Sequence, residues 1–507
     1  MEEAPRRRRK PSRTRCHARG LTKQPSPTPT RPLRAVPLSD APSLPGSDVE
    51  ALTLSPSPGP GLTSVSASSE PSPQAARPPR WLILDRVGRR CRWRDEIVEG
   101  DATLSTTTRD CIDRPIRASL RLADAPAVSR LYLHCSGRRG VQSIAGMAEP
   151  AVIAAHRNSI LFQADVPFKD PALWKYASCF PVDYFVYSCS SSSPPSLTRL
   201  PPFLKEGASS KPEFDGFFKP YRCHRQRTML DHEMGLLCHG DDGEFTVADI
   251  THRFYHDFEL CLLHHPPPGS DIQMQWRAKR LPIPPEMGLN LSSWRTDTVI
   301  PIGGRLCWVD HYQGMLLIDV VHTDSETSSD QQELHYIPLP SEALQWRRLY
   351  IDAFSTDPFR FDIFPGKWEK DIGTAMEASE FWGLCAAQCL PHVTPILPTV
   401  SMVDPDVVCF VLKDDRHISW MVEVNMRNKV LQSSALYISE QDEDEEGCPS
   451  EKKHRNSFDC HYFVPSKFSS YLSKDAITSK ELSEILQNKA KQRVLQISRL
   501  EAQSNME

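Results

Sequence analysis

The sequence predicts a mainly β protein, built of antiparallel meanders in a β-propeller-like body, with a disordered N-terminal tail and a C-terminal α-helix. Three observations carry that prediction. The stretch 303–320, followed after a polar insert by 334–340, reads as a meander: Leu306, Trp308 and the apolar run 315–320 are β-prone, while Asp310 to Gly314 is a polar turn closed by glycine. Short β-type runs punctuated by Pro, Gly, Asn and Asp continue from Trp81 to about Ser470, the texture of a sandwich, barrel or propeller. A loose internal repeat favours the propeller: the segment from Trp276 to Pro282, Ile283 and Pro284 returns about 55 residues later as Leu334 to Pro338, Leu339 and Pro340, close to the ~40–50 residues of a blade.

Taken in chain order, residues 1–79 form the tail. They hold 16 of the 45 prolines, with almost no aromatic or clustered aliphatic residues, so they cannot bury enough apolar surface to offset the entropy of ordering. The first 39 residues carry 11 Lys/Arg against 2 Asp/Glu, a net of +9, which leaves −13 for the rest. A polyanion partner is therefore expected only for the tail. Arg6, Arg7, Arg8, Arg9 and Lys10 suit an importin groove or a phosphate backbone, predicting nucleus or cytoplasm. The alternative is a chloroplast or mitochondrial transit peptide, which the Ser- and Arg-rich composition of 16–39 also fits.

The body is expected over 80–470, opening with the strand at Trp81, Leu82, Ile83 and Leu84. Further strands are expected at 131–134, 159–162, 183–187 and 245–248, then at 276–284 and in the meander above. A second hairpin runs from 406–412 through a polar turn into 418–424 and on past Asn425 to Lys429 into Val430 and Leu431. Two low-complexity inserts, 188–195 and the acidic 441–446, are expected as exposed loops. Residues 471–507 hold a helix: Thr478 to Glu481 has capping-box spacing, and Leu482, Ile485, Leu486, Val494, Ile497 and Leu500 share one face.

At 507 residues, with 39% hydrophobic and 24% charged, the chain has ample material for a core. Its 15 cysteines are scattered singly with no signal peptide before them, and read as reduced core thiols of an intracellular protein. No run approaches the ~18 apolar residues of a membrane span, so no membrane partner is expected. No G-x-S-x-G elbow, phosphate-binding glycine loop or dinucleotide fingerprint occurs, and neither catalytic nor cofactor-binding residues are assigned. The carboxylates of Asp241, Asp242, Asp414 and Asp415 read as turn residues.

The densest reactive stretch is 223–265, with Cys223, His224, His232, Cys238, His239, His252, His256, Cys261, His264 and His265. Zinc takes four N or S ligands, usually in pairs two to four residues apart. Only Cys261 and His264 show that spacing, so Cys223, His232, Cys238, Cys261 and His264 are candidates within a segment otherwise read as core and turn. His232 and Glu233 begin like a metalloprotease helix, but Leu236 stands where the second His is required. Cys385 and Cys389 are expected on one helical face.

Trp308, Val309 and Asp310, with Gly314 to Val320 and Tyr336 to Pro340, resemble the signature of a large plant family, expanded in grasses, known as domain of unknown function 1618. Asp406 to Phe410 and Val424 to Lys429 look like its C-terminal part, and Pro79 to Val87 and Asp183 to Tyr187 like the region before it. The signature positions are Trp308, Asp310, Gly314, Asp319, Pro338 and Pro340, within a core segment of about 300–440. Members commonly carry a Trp-Arg-Gly turn where this chain has Tyr312, Gln313 and Gly314. The resemblance implies no activity, cofactor or catalytic residue. The expected function is a non-catalytic protein-interaction module with an unidentified protein partner. The alternatives are a hydrolase or metal-dependent enzyme using 223–265, and a nucleic-acid-associated factor acting through the tail.

Overall fold

The β-prone runs pair almost entirely with their sequence neighbours, so local hairpins build the sheets and ring closure orders them. The computed structural model describes residues 81–92, 101–136, 144, 146–190, 193–204, 226–227, 229–240, 243–254, 257–267, 269–270, 273–284, 287–320, 334–340, 359–362, 366–414, 418–437 and 463–471. The tail, the acidic insert, the C-terminal helix, Cys223, His224 and His256 lie outside them.

The first sheet takes β1 (Leu82–Leu84), β2 (Arg89–Arg92), β3 (Thr108–Arg109), β4 (Pro115–Arg121) and β5 (Val128–Cys135). Blade two is the meander β6 (Ala151–His156), β7 (Ser159–Asp165), β8 (Val182–Ser190) and β9 (Ser193–Arg199). Blade three is β10 (Met234–Cys238), β11 (Phe245–Phe254), β12 (Asp257–His265) and β13 (Trp276–Pro282). Blade four is β14 (Thr298–Ile302), β15 (Arg305–Asp310), β16 (Gly314–Ile318) and β17 (Leu334–Pro338). A two-stranded ladder, β18 (Phe359–Asp362) and β19 (Lys367–Lys370), and helix α1 (Ala378–Ala387) precede blade five, which is β20 (Ile396–Val400), β21 (Val407–Lys413), β22 (Ser419–Asn425) and β23 (Val430–Tyr437).

The last strand, β24 (Val464–Ser466), returns to pair antiparallel with β1. The two ends of the body therefore share a blade, and the five sheets form a five-bladed β-propeller. Strands β24, β6, β10 and β14 touch in turn around the axis, and β20 touches β24. Equivalent turns of successive blades consequently share an end. One face carries the hairpins after the innermost strands; the other carries the crossovers between blades.

Several expectations change. The first blade is mixed, because β5 accepts both β1 and β2 in parallel. The loop expected over 188–195 is strand where it is described: Ser188 to Ser190 end β8, Ser193 to Pro195 open β9, and Ser190 pairs with Ser193. The meander has a fourth, innermost strand, β14, joined to β15 by Gly303 and Gly304 at φ +56° and +81°, the geometry of a primed two-residue turn. The repeat marks the outermost strands β13 and β17 of adjacent blades, although Trp276 lies on that strand and Trp308 on β15. Cys385 is buried within α1, whereas Cys389 lies beyond the helix, exposed and at φ +56°. They do not share a face.

Apolar cores fill the seams. Leu82, Leu131, Phe162, Tyr187 and Phe468 join blades one and two; Tyr184, Val186, Leu236, Val247 and Cys261 join two and three. Ile250, Leu260, Leu306, Trp308 and Leu316 join three and four, and Trp81, Ile83, Cys409, Val411 and Met421 join five and one. Between four and five the fill is different: Leu317 packs with Trp368 of β19, while Leu412, Val422 and Val424 pack with Phe381 and Cys385 of α1. The inserted segment thus serves as packing for that seam. Among the described residues no helix is long and apolar enough to cross a membrane.

Candidate functional site

Strand alternation decides where the reactive residues of 223–265 go. Cys238, Cys261 and Met234 face blade two, inside the apolar core of that seam. His264 is three residues beyond Cys261 on the same strand, so it faces the other way, toward blade four. His232 lies in the turn before β10, at the crossover face, beside Asp231. The candidate set Cys223, His232, Cys238, Cys261 and His264 is therefore not brought together: Cys223 lies outside the described residues and the others are divided between two seams and two ends. Of His252 only the backbone is described.

What does converge is a different group at the hairpin face. His239 closes β10, Glu244 precedes β11, and Thr246 is paired with His264 across the β11–β12 ladder. Thr246 Oγ1 stands between the rings, 2.7 Å from His239 Nε2 and 3.3 Å from His264 Nδ1. His264 Nε2 lies 3.5 Å from Glu244 Oε1. One donor atom each from His239, Glu244 and His264 falls within 4.8 Å of the other two, and all three residues are half-buried. Burial lowers the pKa of His239, opposed by the charges of Glu244 and Asp319. On the other side of the same turn, His156 Nδ1 accepts from the Cys238 amide at 2.9 Å, and burial, then Arg157 and His239, lowers its pKa to about 4. His265 stacks on Phe245 with ring centroids 4.5 Å apart.

Sequence spacing missed Glu244 and Thr246 because they join the histidines through cross-strand register, which depends on where the hairpin turns. The described cysteines form no disulfide and most are buried. Burial pushes Cys307 up to about 12 and Cys385 to about 11, so these thiols stay protonated and poorly nucleophilic.

The crossover face holds a second polar group. At the seam of blades two and three a half-open pocket of ≈ 220 Å³ is bordered by Tyr184, Gln226, Arg227 and Leu230. Gln226 docks on Val182, its side-chain oxygen accepting from Val182 N at 3.0 Å and its amide donating to Val182 O at 2.5 Å. Arg227 pairs with Glu259 at 2.5 Å and lies over the Phe203 ring. Behind them Asp249, fully buried, accepts from Thr251 Oγ1 at 2.9 Å, and its other oxygen has no partner among the described residues.

Burial raises Asp249 from 3.8 to about 6, countered by Thr251 and Arg227; burial and then Asp249 raise Glu233 to about 7. A carboxyl raised on folding favours the native state below its unfolded pKa, and that contribution is lost as pH rises through the folded value. The wild-type protein is therefore expected to lose stability between about pH 4 and pH 7. Asp249→Asn should flatten part of that slope and gain up to about 3 kcal/mol at pH 8, read from urea midpoints at pH 5 and pH 8. Equal pH dependence in the two proteins would show that Asp249 is charged at no cost.

Of the residues that carry the resemblance, all but Asp319 lie toward the crossover face of blade four. Asp310 is buried and accepts from Arg295 N, Tyr312 N and Gln313 Nε2 at 2.8, 2.8 and 3.1 Å. Trp308 donates to Glu233 O at 2.7 Å, tying blade four to the turn before β10. Trp368 donates to Pro338 O at 2.9 Å, and Asp319 is exposed at the hairpin face. Fold and geometry together define a five-bladed β-propeller, a class that commonly serves as a scaffold for protein interaction. Comparison with protein-family models gives no match for this chain, and comparison with curated proteins gives none.

Proposed function

We propose that the protein is a non-catalytic protein-interaction module that recognises its partner on the crossover face of the propeller. The observation that carries this reading is the asymmetry of the two faces. The three longest segments joining one blade to the next, 200–233, 339–395 (which carries β18, β19 and α1) and 438–463, all leave from the crossover face. The hairpin face includes two-residue turns such as Arg157 with Asn158 and Gly303 with Gly304. A rigid ring that projects its long connections on one side positions variable recognition elements on a fixed frame. Leu230, which is 45% exposed, supplies an apolar foothold at the rim of the polar pocket, beside the Arg227 guanidinium on that face.

The partner is a protein met in the nucleus or cytoplasm, and nucleic acid would be reached only through the basic tail. Proximity labelling with the full chain, a chain lacking residues 1–79, and a Leu230→Glu variant tests this. A partner set shared by the first two and lost from the third is the expected result. Enrichment that vanishes with the tail, persists unchanged in Leu230→Glu, or never exceeds background would overturn the assignment of recognition to this face.

A further inference from the structure

We propose that His239, Glu244 and His264 form a divalent-metal site of the two-histidine, one-carboxylate kind suited to Zn²⁺, at the hairpin face of the seam between blades three and four. This inference does not depend on the partner-binding reading, because the residues lie at the opposite end of the blade.

The geometry supports an ion in four ways. First, the three donor atoms lie within 4.8 Å of one another, and the 3.5 Å between His264 Nε2 and Glu244 Oε1 is close to the roughly 3.4 Å edge of a tetrahedron drawn with zinc–ligand distances of about 2.1 Å. The other two separations are no more than 4.8 Å, so an ion would draw those donors in by up to about 1.4 Å. Second, the ligands stand on a rigid frame: His239 N donates to Glu244 O at 3.0 Å, and Thr246 and His264 are paired in the ladder. The backbone positions are thus fixed before any ion arrives, which lowers the entropic cost of binding.

Third, Thr246 does what an outer-shell residue does in metal sites. Its hydroxyl engages one ring nitrogen of each histidine, orienting the rings and leaving Nε2 of His264 toward the carboxylate. Fourth, one further carboxylate stands near the group and is open to solvent. Asp319 of blade four interacts electrostatically with His239 across the seam and is itself exposed, so a cation is attracted and can reach the site. The donor set selects the metal class: two imidazoles and one carboxylate suit zinc, whereas magnesium and calcium prefer oxygen. Three protein ligands leave the fourth tetrahedral position to water.

The test uses the full chain, stripped with a chelator and dialysed. Titration with Zn²⁺ by calorimetry should show one site per chain, and Co²⁺ should give the visible absorption bands of a tetrahedral ion. His264→Gln and Glu244→Gln should each weaken Zn²⁺ binding by about 100-fold or more, and Thr246→Val, which removes only the orienting hydroxyl, by about 10-fold. The paired variant Cys223→Ser/His232→Asn should bind like wild type. Far-UV circular dichroism of every metal-free variant separates lost ligands from lost fold, and Glu244→Gln sits in the turn where it disturbs packing least. Absence of both heat and Co²⁺ bands in the wild-type chain would overturn the proposal. So would a site that survives His264→Gln and Glu244→Gln, or that disappears in Cys223→Ser/His232→Asn.

Discussion

Replacing Gly314 with alanine is expected to destabilise the propeller by about 3–5 kcal/mol, the combined cost of a disallowed backbone and an overpacked contact. Gly314 opens β16 at φ +150°, and a Cβ there would run into the Ile337 carbonyl oxygen and stand 2.9 Å from Pro338 Cα. Both obstacles are backbone atoms of β17, which cannot step aside without breaking the ladder that pairs Gly314 with Pro338. Leu339 N also donates to Gln313 O at 3.0 Å, and Tyr336 donates its hydroxyl to the same oxygen at 2.9 Å. The outer strand is therefore clamped over the glycine from both sides.

A control separates the two costs. Gly304 has φ +81° and open space where a Cβ would go, so Gly304→Ala should cost only about 1 kcal/mol from backbone strain. Equilibrium unfolding in urea measures both. A Gly314→Ala protein no weaker than Gly304→Ala would mean that β17 can move away, and that the close approach is incidental to the blade.

How much of this was legible beforehand follows from the range of the interactions. The hairpin turn from Asp310 to Gly314 and the strands at 406–412 and 418–424 were readable because apolar alternation and turn chemistry are local. The propeller itself was suggested by the recurrence of Pro-ended strands, which the structure places at the outer edges of blades three and four. Innermost strands β14 and β20 escaped notice: Thr298–Ile302 and Ile396–Val400 each contain a proline, which argues against a central strand.

The histidine cluster was legible as composition and misread as geometry. Spacing joined Cys261 to His264, but a separation of three on a strand puts them on opposite faces, whereas the same spacing on a helix would have put them together. The partners that matter, Glu244 and Thr246, are reached from His264 only through the β11–β12 register. The role of Asp310 was half visible. Turn chemistry placed it correctly, yet nothing local shows that its carboxylate also accepts from Arg295, fifteen residues earlier.

The second large effect is expected where the ring closes, at Asp85, which has 1% of its surface exposed. Its Oδ2 accepts from Arg130 Nη2 at 2.8 Å and Nε at 3.2 Å, and from the Tyr437 hydroxyl at 2.7 Å, while Oδ1 accepts from Val87 N at 3.0 Å. Tyr437 ends the outermost strand of blade five, 352 residues away in sequence. One carboxylate thus links the first strand of the body, the central strand β5 of its own blade and the edge of the last blade.

Burial and the neighbouring Asp85 raise the pKa of Tyr437, so it donates as a neutral phenol. Arg130 keeps its guanidinium over the Tyr437 ring. Asp85→Ala should cost about 3–5 kcal/mol, because it strips a poorly solvated arginine of its carboxylate rather than removing both charges together. Tyr437→Phe deletes one hydrogen bond to a charged acceptor and should cost about 1.5–3 kcal/mol. If the three groups act as one latch, the double variant will be less destabilised than the sum of the singles, by about 1–2 kcal/mol. Additive losses would instead place closure in the apolar contacts of Trp81, Ile83 and Val411, and in the β1–β24 ladder, with Asp85 serving only its own blade.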